Sequence, residues 1–478
     1  MTKRAICWFR RDLRLSDHAA LKEGTERSKE VMPVFVFDTA ILDPLEDRDD
    51  RRVNFIHRSL IEIDEKLKKL GSRLVVKHGN PEQIIPELAK KWQADFVVCA
   101  EDYEPTAIER DDAVRQKLHS QGIEFRSVKD QVIFSGGEVS TPEGAAYRVY
   151  SPFAKNWRAK FSPELASELE PSLDHLAPAE PLQPFLEDWS LTAIGFDPAE
   201  VWVKPGEDAA QEQLEKFARE RMSGYKKARD FPAVNGTSVI SPHLRFGTIS
   251  CRAAVRAALE VSGEGGDKWL SELIWREFYS MILLRYPEVV NHTFRPEFDD
   301  LEYPGTSEYF EAWVEGRTGY PIVDAAMRCF EATGWMHNRL RMVVASFLTK
   351  DLLVDYKWGE AYFARKLLDF DLASNNGSWQ WAASVGADPQ PYFRIFNPIL
   401  QSKKFDSEGK FIREWCPELK GFSNERIHFP AEALEMEQEL AGCLIGKDYP
   451  APIVDHSEQR QKAIALLERA LDRSKNGT

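Results

Sequence analysis

Chemistry in this chain concentrates where tryptophans, acids and arginines fall at helical spacing. In WLSELIWREFY, Trp269, Glu272, Arg276 and Tyr279 recur at three- and four-residue steps, so one helix face presents two aromatics with an acid and a base between them. An intrahelical Glu272–Arg276 pair with aromatic packing is the plain structural alternative. GWMHNRLRM sets Arg339 and Arg341 in a stretch, 336–350, that also holds Lys350 and no acid. In DFDLASNNGSWQW two acids, two asparagines and a glycine precede Trp379 and Trp381, and the Asn-Gly step predicts a turn. Acids there suit pairing with Arg341 or hydrogen bonds from a polar ligand, and indole faces suit stacking on an aromatic ring. Eight of the 13 tryptophans lie between Trp269 and Trp415, where a large helical core would explain only some of them. These residues predict a helical domain that binds a large aromatic ligand and works by moving electrons.

Other chemistries lack their residues. The six cysteines are scattered without a CxxC pair, which predicts reduced structural thiols and no metal site. No GxGxxG follows the first strand-like run and no GxxxxGK[ST] occurs, so the usual dinucleotide and P-loop modes are not expected. A net charge of −14 argues against a surface coated for non-specific nucleic-acid binding but leaves room for a local basic groove. No apolar run reaches membrane-helix length and no signal peptide opens the chain, so a cytoplasmic protein is expected.

The elements that must position these groups fall into two kinds. Residues 4–9, 31–37, 73–77, 95–100 and 123–128 read as short buried strands alternating with helical stretches, which predicts a doubly wound, Rossmann-like α/β domain with a parallel sheet over 1–130. Nine of the 27 prolines lie between Pro142 and Pro205, which predicts a linker over 131–205. Beyond it, 209–222, 268–284, 309–315, 322–333, 338–353 and 458–472 carry helical spacing, so 206–478 should be an all-helical domain.

At these residues the chain resembles a class I cyclobutane pyrimidine dimer photolyase of the photolyase and cryptochrome family. WFRRDLRLSDHAAL, RDFPAVNGTSVISPHLRFGTIS, WLSELIWREFY, EGRTGYPIVDAAMR, TGWMHNRLRMVVASFLTKDLL, DLASNNGSWQWAAS and PYFRIFNPILQSKKFD carry the likeness over essentially the whole length. The resemblance implies one non-covalent FAD in the helical domain, active as its reduced anion, that gives an electron under blue light to a dimer flipped out of DNA. It assigns Tyr225, Thr237, Ser238, Val239, Ile240, Ser241, Trp269, Trp335, Arg341, Asp369, Asp371 and Asn375 to the cofactor, with Arg341 paired to Asp369 and Asn375 facing flavin N5. Trp275 and Trp381 would stack on the lesion, with Glu272, Asn338 and Met342 completing its pocket. Arg229, Arg276, Arg339 and Gln401, beside Glu272, Trp275 and Asn338, resemble DNA-contacting positions.

Departures from the family pattern bear on two further sites. Trp379 matches the flavin-proximal member of the family's tryptophan chain, but Tyr356 and Tyr303 stand at its middle and outer positions, with Trp358 as a detour. Thr106 and Ala107 replace the Asn-Glu pair of folate-binding members, whereas Arg51, Asp102 and Glu104 resemble a deazaflavin set in which Arg245 replaces a lysine. A deazaflavin antenna is therefore expected ahead of methenyltetrahydrofolate; an acid-rich helix start is the plain alternative for Asp102 and Glu104. The rivals are a cryptochrome-like light sensor and a photolyase preferring (6-4) or single-stranded lesions. Sensors typically carry Asp or Cys where Asn375 stands and often a long extension, whereas this chain stops soon after 458–472, and (6-4) enzymes place histidines at Asn338 and Met342. Dimer-containing DNA is thus the expected partner, bound by a monomer.

Overall fold

The structure, a computed structural model, describes residues 3–476. Two compact units emerge: one holds the chain up to Tyr147 with Ser151–Ser223 and Ser238–Arg285, the other Arg148–Tyr150, Gly224–Thr237 and the chain from Tyr286 onward.

The first unit is built on a five-stranded parallel sheet, β1 (Arg4–Phe9), β2 (Glu30–Asp38), β3 (Val75–Gly79), β4 (Phe96–Ala100) and β5 (Glu124–Val128), in the order β3-β2-β1-β4-β5. Ala5 through Phe9 are all buried, as a strand covered on both faces requires, which is why β1 reads as an apolar run rather than an alternation. The crossover helices start on side-chain caps: Asp50 accepts from the Arg52 N–H at 2.7 Å and Asn80 from the Glu82 N–H at 2.8 Å. A buried ion cluster binds this sheet to the helix Cys251–Glu260: Arg14 reaches Asp130 at 2.6 Å, and Arg252 reaches Asp17 at 2.7 Å and Asp130 at 2.8 Å. Burial is the largest single influence on the Asp130 carboxyl and pushes it up, but the Arg14 and Arg252 guanidiniums together outweigh it and hold the carboxyl far below the usual range. The proline-rich stretch contains a helix, Tyr150–Lys160, whose Trp157 indole donates to Glu277 at 2.6 Å. Glu277 lies on the helix Glu264–Arg285 and also accepts from the Ile133 N–H at 2.5 Å, so strap and helix share one buried carboxylate.

The second unit is helical, with Ser307–Val314, Pro321–Thr333, Asn338–Ser346, Tyr356–Lys366, Leu372–Ala383 and Pro398–Phe405 packed around Trp313, Phe330, Val344, Leu348, Phe363 and Trp379. Two local expectations fail here. The 338–353 stretch is not one α-helix: Phe347–Asp351 forms a π-helical turn. Lys350 is buried in that turn, donating to the Ala383 carbonyl at 2.9 Å and Ser384 Oγ at 3.1 Å, and burial draws its pKa down to about 7. Nor does Asn376-Gly377 make a turn, because Leu372–Ala383 is helical throughout. Asp371 caps it by accepting from the Ser374 N–H at 2.9 Å, and the Asn376 amide is spent on the Val289 carbonyl at 2.9 Å and the Glu360 carboxylate at 3.0 Å, leaving it no local turn bond to make. Among the described residues no helix is long and apolar enough to cross a membrane, and no group of three or more His, Cys, Asp and Glu could hold a metal ion.

Candidate functional site

Arg341 and Asp369, 28 residues apart in sequence, meet in the second unit. One guanidinium nitrogen of Arg341 lies 2.8 and 3.1 Å from the two carboxylate oxygens, while its Nε donates to the Met336 carbonyl at 2.8 Å. The Asp369 side chain is 3% exposed and that of Arg341 26%, so the acid depends on the base for its charge partner more than the reverse. Two residues on from Asp369, Asp371 caps the Leu372–Ala383 helix, whose first turns carry Asn375. The Asn375 amide NH2 donates to the Glu360 carbonyl at 3.1 Å, which fixes the orientation of the side chain. Its oxygen accepts from no group among the described residues, so this buried amide keeps a neutral acceptor in reserve. Burial raises the Glu360 carboxyl to about 7, against the hydrogen bond from Asn376 that lowers it. His337 was not singled out from sequence: it caps the Asn338–Ser346 helix, its Nδ1 accepting from the Arg339 N–H at 3.2 Å, and burial first of all draws its pKa to about 4. The helix that follows places Asn338 exposed and Met342 half-buried, with Trp335 half-buried just before it and Trp381 half-buried on Leu372–Ala383.

Ring contacts in this unit run from Trp379 along a different line from the tyrosines. Trp379 meets Trp313 at 6.1 Å, Trp313 meets Phe310 at 5.9 Å, and Phe310 meets Trp358 at 5.5 Å between centroids. Trp358 is 43% exposed, so the line starts in the core and ends at water. Gly359 permits the close packing of Trp379, since a Cβ there would fall 2.2 Å from the indole. Tyr356 is buried, and burial above all pushes its phenol pKa up; the Tyr303 hydroxyl is buried with no hydrogen-bond partner among the described residues, and its pKa too is pushed up by burial. Trp313 carries no motif signal beyond its type; only its ring neighbours reveal it.

The expected DNA-contacting groups of this unit are largely held by the protein itself. Arg339 pairs with Asp230 at 2.8 Å and lies over the Phe405 ring at 4.4 Å, and Arg229 sits 3.7 Å from the same Asp230. Gln401, one turn before Phe405 on Pro398–Phe405, has a buried Oε1 without a partner among the described residues. Tyr225 is buried and Thr237 half-buried at the two ends of the Gly224–Thr237 segment.

In the first unit, Glu264–Arg285 carries Trp269, Glu272, Trp275 and Arg276. Glu272 pairs with Lys268 at 3.0 Å, Arg276 donates to the Gln131 carbonyl at 2.5 Å, and Trp269 is buried against Phe217. At Ser238–Ser241 the backbone is strained: Val239, a β-branched residue, sits at φ 54°. Such strain persists where surrounding structure enforces it, and a left-handed residue beside right-handed ones turns successive N–H groups toward one point, an arrangement suited to a phosphate. Of the expected antenna residues, Asp102 lies 3.3 Å from Arg11, and Glu104 lies 3.0 Å from Arg11 and 2.9 Å from Arg245; Arg51 opens the helix Arg51–Lys69. Sequence reasoning overlooked Arg11, the base that joins the two acids. Within the second unit, the oriented Asn375 amide and the Arg341–Asp369 pair supply a neutral acceptor and a fixed charge pair, a chemistry that fits a flavin ring; within the first, the left-handed Val239 turn is a backbone of the kind that suits a phosphate.

Comparison with known proteins bears on the same residues. Residues 5–172 match the DNA photolyase family model and residues 269–469 the FAD binding domain of DNA photolyase. A deoxyribodipyrimidine photo-lyase of Agrobacterium fabrum is 40% identical over 474 residues, 97% of each chain. Among solved structures, a bacterial class III photolyase from Agrobacterium tumefaciens superposes with a TM-score of 0.90 at 38% identity, covering 99% of this chain and 98% of its own. An archaeal photolyase from Sulfolobus tokodaii, described with two FAD molecules, gives 0.81 at 34% identity, covering 98% of this chain and all of its own. With both family models matched and such likeness from end to end, the chain belongs to the photolyase/cryptochrome family.

Proposed function

We propose that this chain is a deoxyribodipyrimidine photo-lyase that repairs cyclobutane pyrimidine dimers in DNA, acting as a monomer in the cytoplasm. Bound, reduced FAD supplies under near-UV or blue light the electron that a dimer accepts and returns as its ring opens, with no net redox change. The chain's own residues bind and orient. The Arg341–Asp369 pair and the Asp371 cap fix the segment around the flavin, and Ser238–Ser241 with Tyr225 and Thr237 hold its phosphates. Trp269 and Trp335 wall the cofactor. Trp275 and Trp381 are assigned to stacking on the flipped dimer, Glu272 and Asn338 to its hydrogen-bonding edge, and Met342 to an adaptable apolar contact. Arg229, Arg276, Arg339 and Gln401 are assigned to the DNA strand. The functional division at 1–130, 131–205 and 206–478 belongs to the same proposal.

The observation that carries repair over sensing is Asn375: one N–H of its amide is held by the Glu360 carbonyl, which orients the side chain, and what it offers a protonated flavin nitrogen is a neutral oxygen and no ionisable group. The subclass proposed is class I, on the ordered motifs that carry the resemblance, while the likeness to a bacterial class III photolyase favours the other assignment. A deazaflavin at Arg51, Asp102, Glu104 and Arg245 is supported by the clustered acids and arginines there, and the absorption spectrum of chromophore released from purified protein tests it. Repair is tested with a thymine-dimer duplex, chemically pre-reduced FAD-replete protein, blue light and a dark control. Light-dependent recovery of thymines is expected; no recovery with reduced FAD bound would refute the reading and direct attention to (6-4) and single-stranded substrates.

A further inference from the structure

The segment Gly224–Thr237 belongs to the second unit, yet its internal hydrogen bonds are local: Arg229 to Tyr225, Phe231 to Ala228 and Val234 to Phe231. It also closes on itself, because Gly236 approaches Ala228 so nearly that a Cβ would fall 2.6 Å from the alanine methyl. Such a loop tends to move as one piece. Two of its consecutive residues, beside whatever else holds it, reach the rest of the second unit by side chains that converge. Asp230 pairs with Arg339 at 2.8 Å, and Phe231 meets the Phe405 ring edge-on at 6.1 Å. The two ties converge, for the Arg339 guanidinium lies over that same Phe405 ring at 4.4 Å. Asp230, Arg339, Phe405 and Phe231 thus form a closed ring of ion pair, cation–π contact, aromatic contact and covalent backbone, in which each side chain fixes the geometry the next one needs.

We propose that this ring is a latch that holds the Gly224–Thr237 loop closed over the cofactor, with Asp230 and Phe405 as positioning residues acting through Arg339. The role of the loop in holding FAD rests on the function proposed above; the latch itself does not. Arg339 is held by the latch from two sides and its side chain is only 16% exposed, so it serves the fold of the loop first. An ion pair in the ring makes loop opening sensitive to ionic strength, whereas an aromatic contact alone would not.

Two readouts test it on the full chain. Lys226 and Lys227 are exposed in the loop and offer trypsin a cut that requires local opening. Asp230→Asn should speed that cut about fivefold at low salt and speed FAD release, followed as recovered flavin fluorescence, by a like factor. Raising salt from about 50 to about 500 mM should accelerate both in the wild type and leave Asp230→Asn nearly unchanged. Phe405→Leu should act in the same direction, and the double variant should fall short of the product of the single effects because both act through Arg339. Unchanged cleavage in Asp230→Asn, or strictly multiplicative effects, would overturn the latch. Faster cleavage with FAD release unaltered would overturn the closure over the cofactor, and with it the assignment of Tyr225 and Thr237, while wild-type protein that binds no FAD would sink the functional reading alone.

Discussion

Removing either member of the Arg341–Asp369 pair should weaken FAD binding, but by very different amounts, because the two side chains are not equally buried. Arg341→Ala deletes the contacts at 2.8 and 3.1 Å to Asp369 and leaves a carboxylate that is 3% exposed without its counter-ion. Stranding a buried charge costs about 3–5 kcal/mol, and the partial exposure of the lost arginine places this case at the lower end, about 3 kcal/mol. Asp369→Asn is milder. Arg341 keeps its Nε bond to the Met336 carbonyl at 2.8 Å, is 26% exposed to water, and can still donate to the new amide oxygen. The net loss is that of one hydrogen bond to a charged group traded for a neutral one, about 1 kcal/mol. The difference of about 2 kcal/mol, about thirtyfold in an equilibrium constant, is the gap expected between the two variants in apoprotein stability, and it is the upper bound on their gap in FAD affinity. Titration of apoprotein with FAD, followed by flavin fluorescence, measures the affinities; urea unfolding of the same apoproteins separates loss of the site from loss of the fold. Asp369→Asn proving as damaging as Arg341→Ala, or neither changing FAD affinity, would refute the reasoning.

Trp381→Ala should weaken binding to dimer-containing duplex by about 1–3 kcal/mol with undamaged duplex little affected, measured by fluorescence anisotropy. Trp358→Phe should slow flavin photoreduction more than Tyr303→Phe does, with repair by pre-reduced enzyme unchanged in both; a silent Trp358→Phe beside a crippled Tyr303→Phe would reinstate the tyrosine route. Asp351, buried and in contact with His456 at 2.5 Å, has its carboxyl raised by burial to about 6 from 3.8, so the native state holds that proton more tightly than the unfolded chain. Its contribution to stability is complete below about pH 4 and is lost as pH rises through about 6, so Asp351→Asn should gain on wild type by about 3 kcal/mol between pH 4 and pH 8 in urea midpoints of the helical unit, and a pH-independent gap would contradict this.

What sequence could and could not reveal follows from how far apart the partners lie. β1 and β4 were legible because a strand buried on both faces is a local apolar run, and the Arg341–Asp369 contact because both residues sit inside long motifs. Where propensity met tertiary hydrogen bonding, propensity lost: Asn376-Gly377 stays helical because Val289 and Glu360, 87 and 16 residues away, occupy the amide that would otherwise have made the turn. Arg11 reaches Asp102 across 91 residues and Arg339 reaches Asp230 across 109, and no periodicity announces such pairs.

The aromatic line shows the same limit with a chemical consequence. Aligning motifs places Tyr356 and Tyr303 on the electron route, since alignment compares positions one at a time. Oxidising a phenol normally requires somewhere for its proton to go, and the buried Tyr303 hydroxyl has no acceptor among the described residues, whereas an indole can lose an electron and keep its proton. Trp379, Trp313, Phe310 and Trp358 lie at successive centroid distances of 6.1, 5.9 and 5.5 Å and end at solvent, with the three indoles as the oxidisable members and Phe310 as the bridge between the last two. The comparison of Trp358→Phe with Tyr303→Phe therefore tests whether this line can stand in for the tyrosines of the family's route, a role that requires the packing that keeps Trp313 against Trp379.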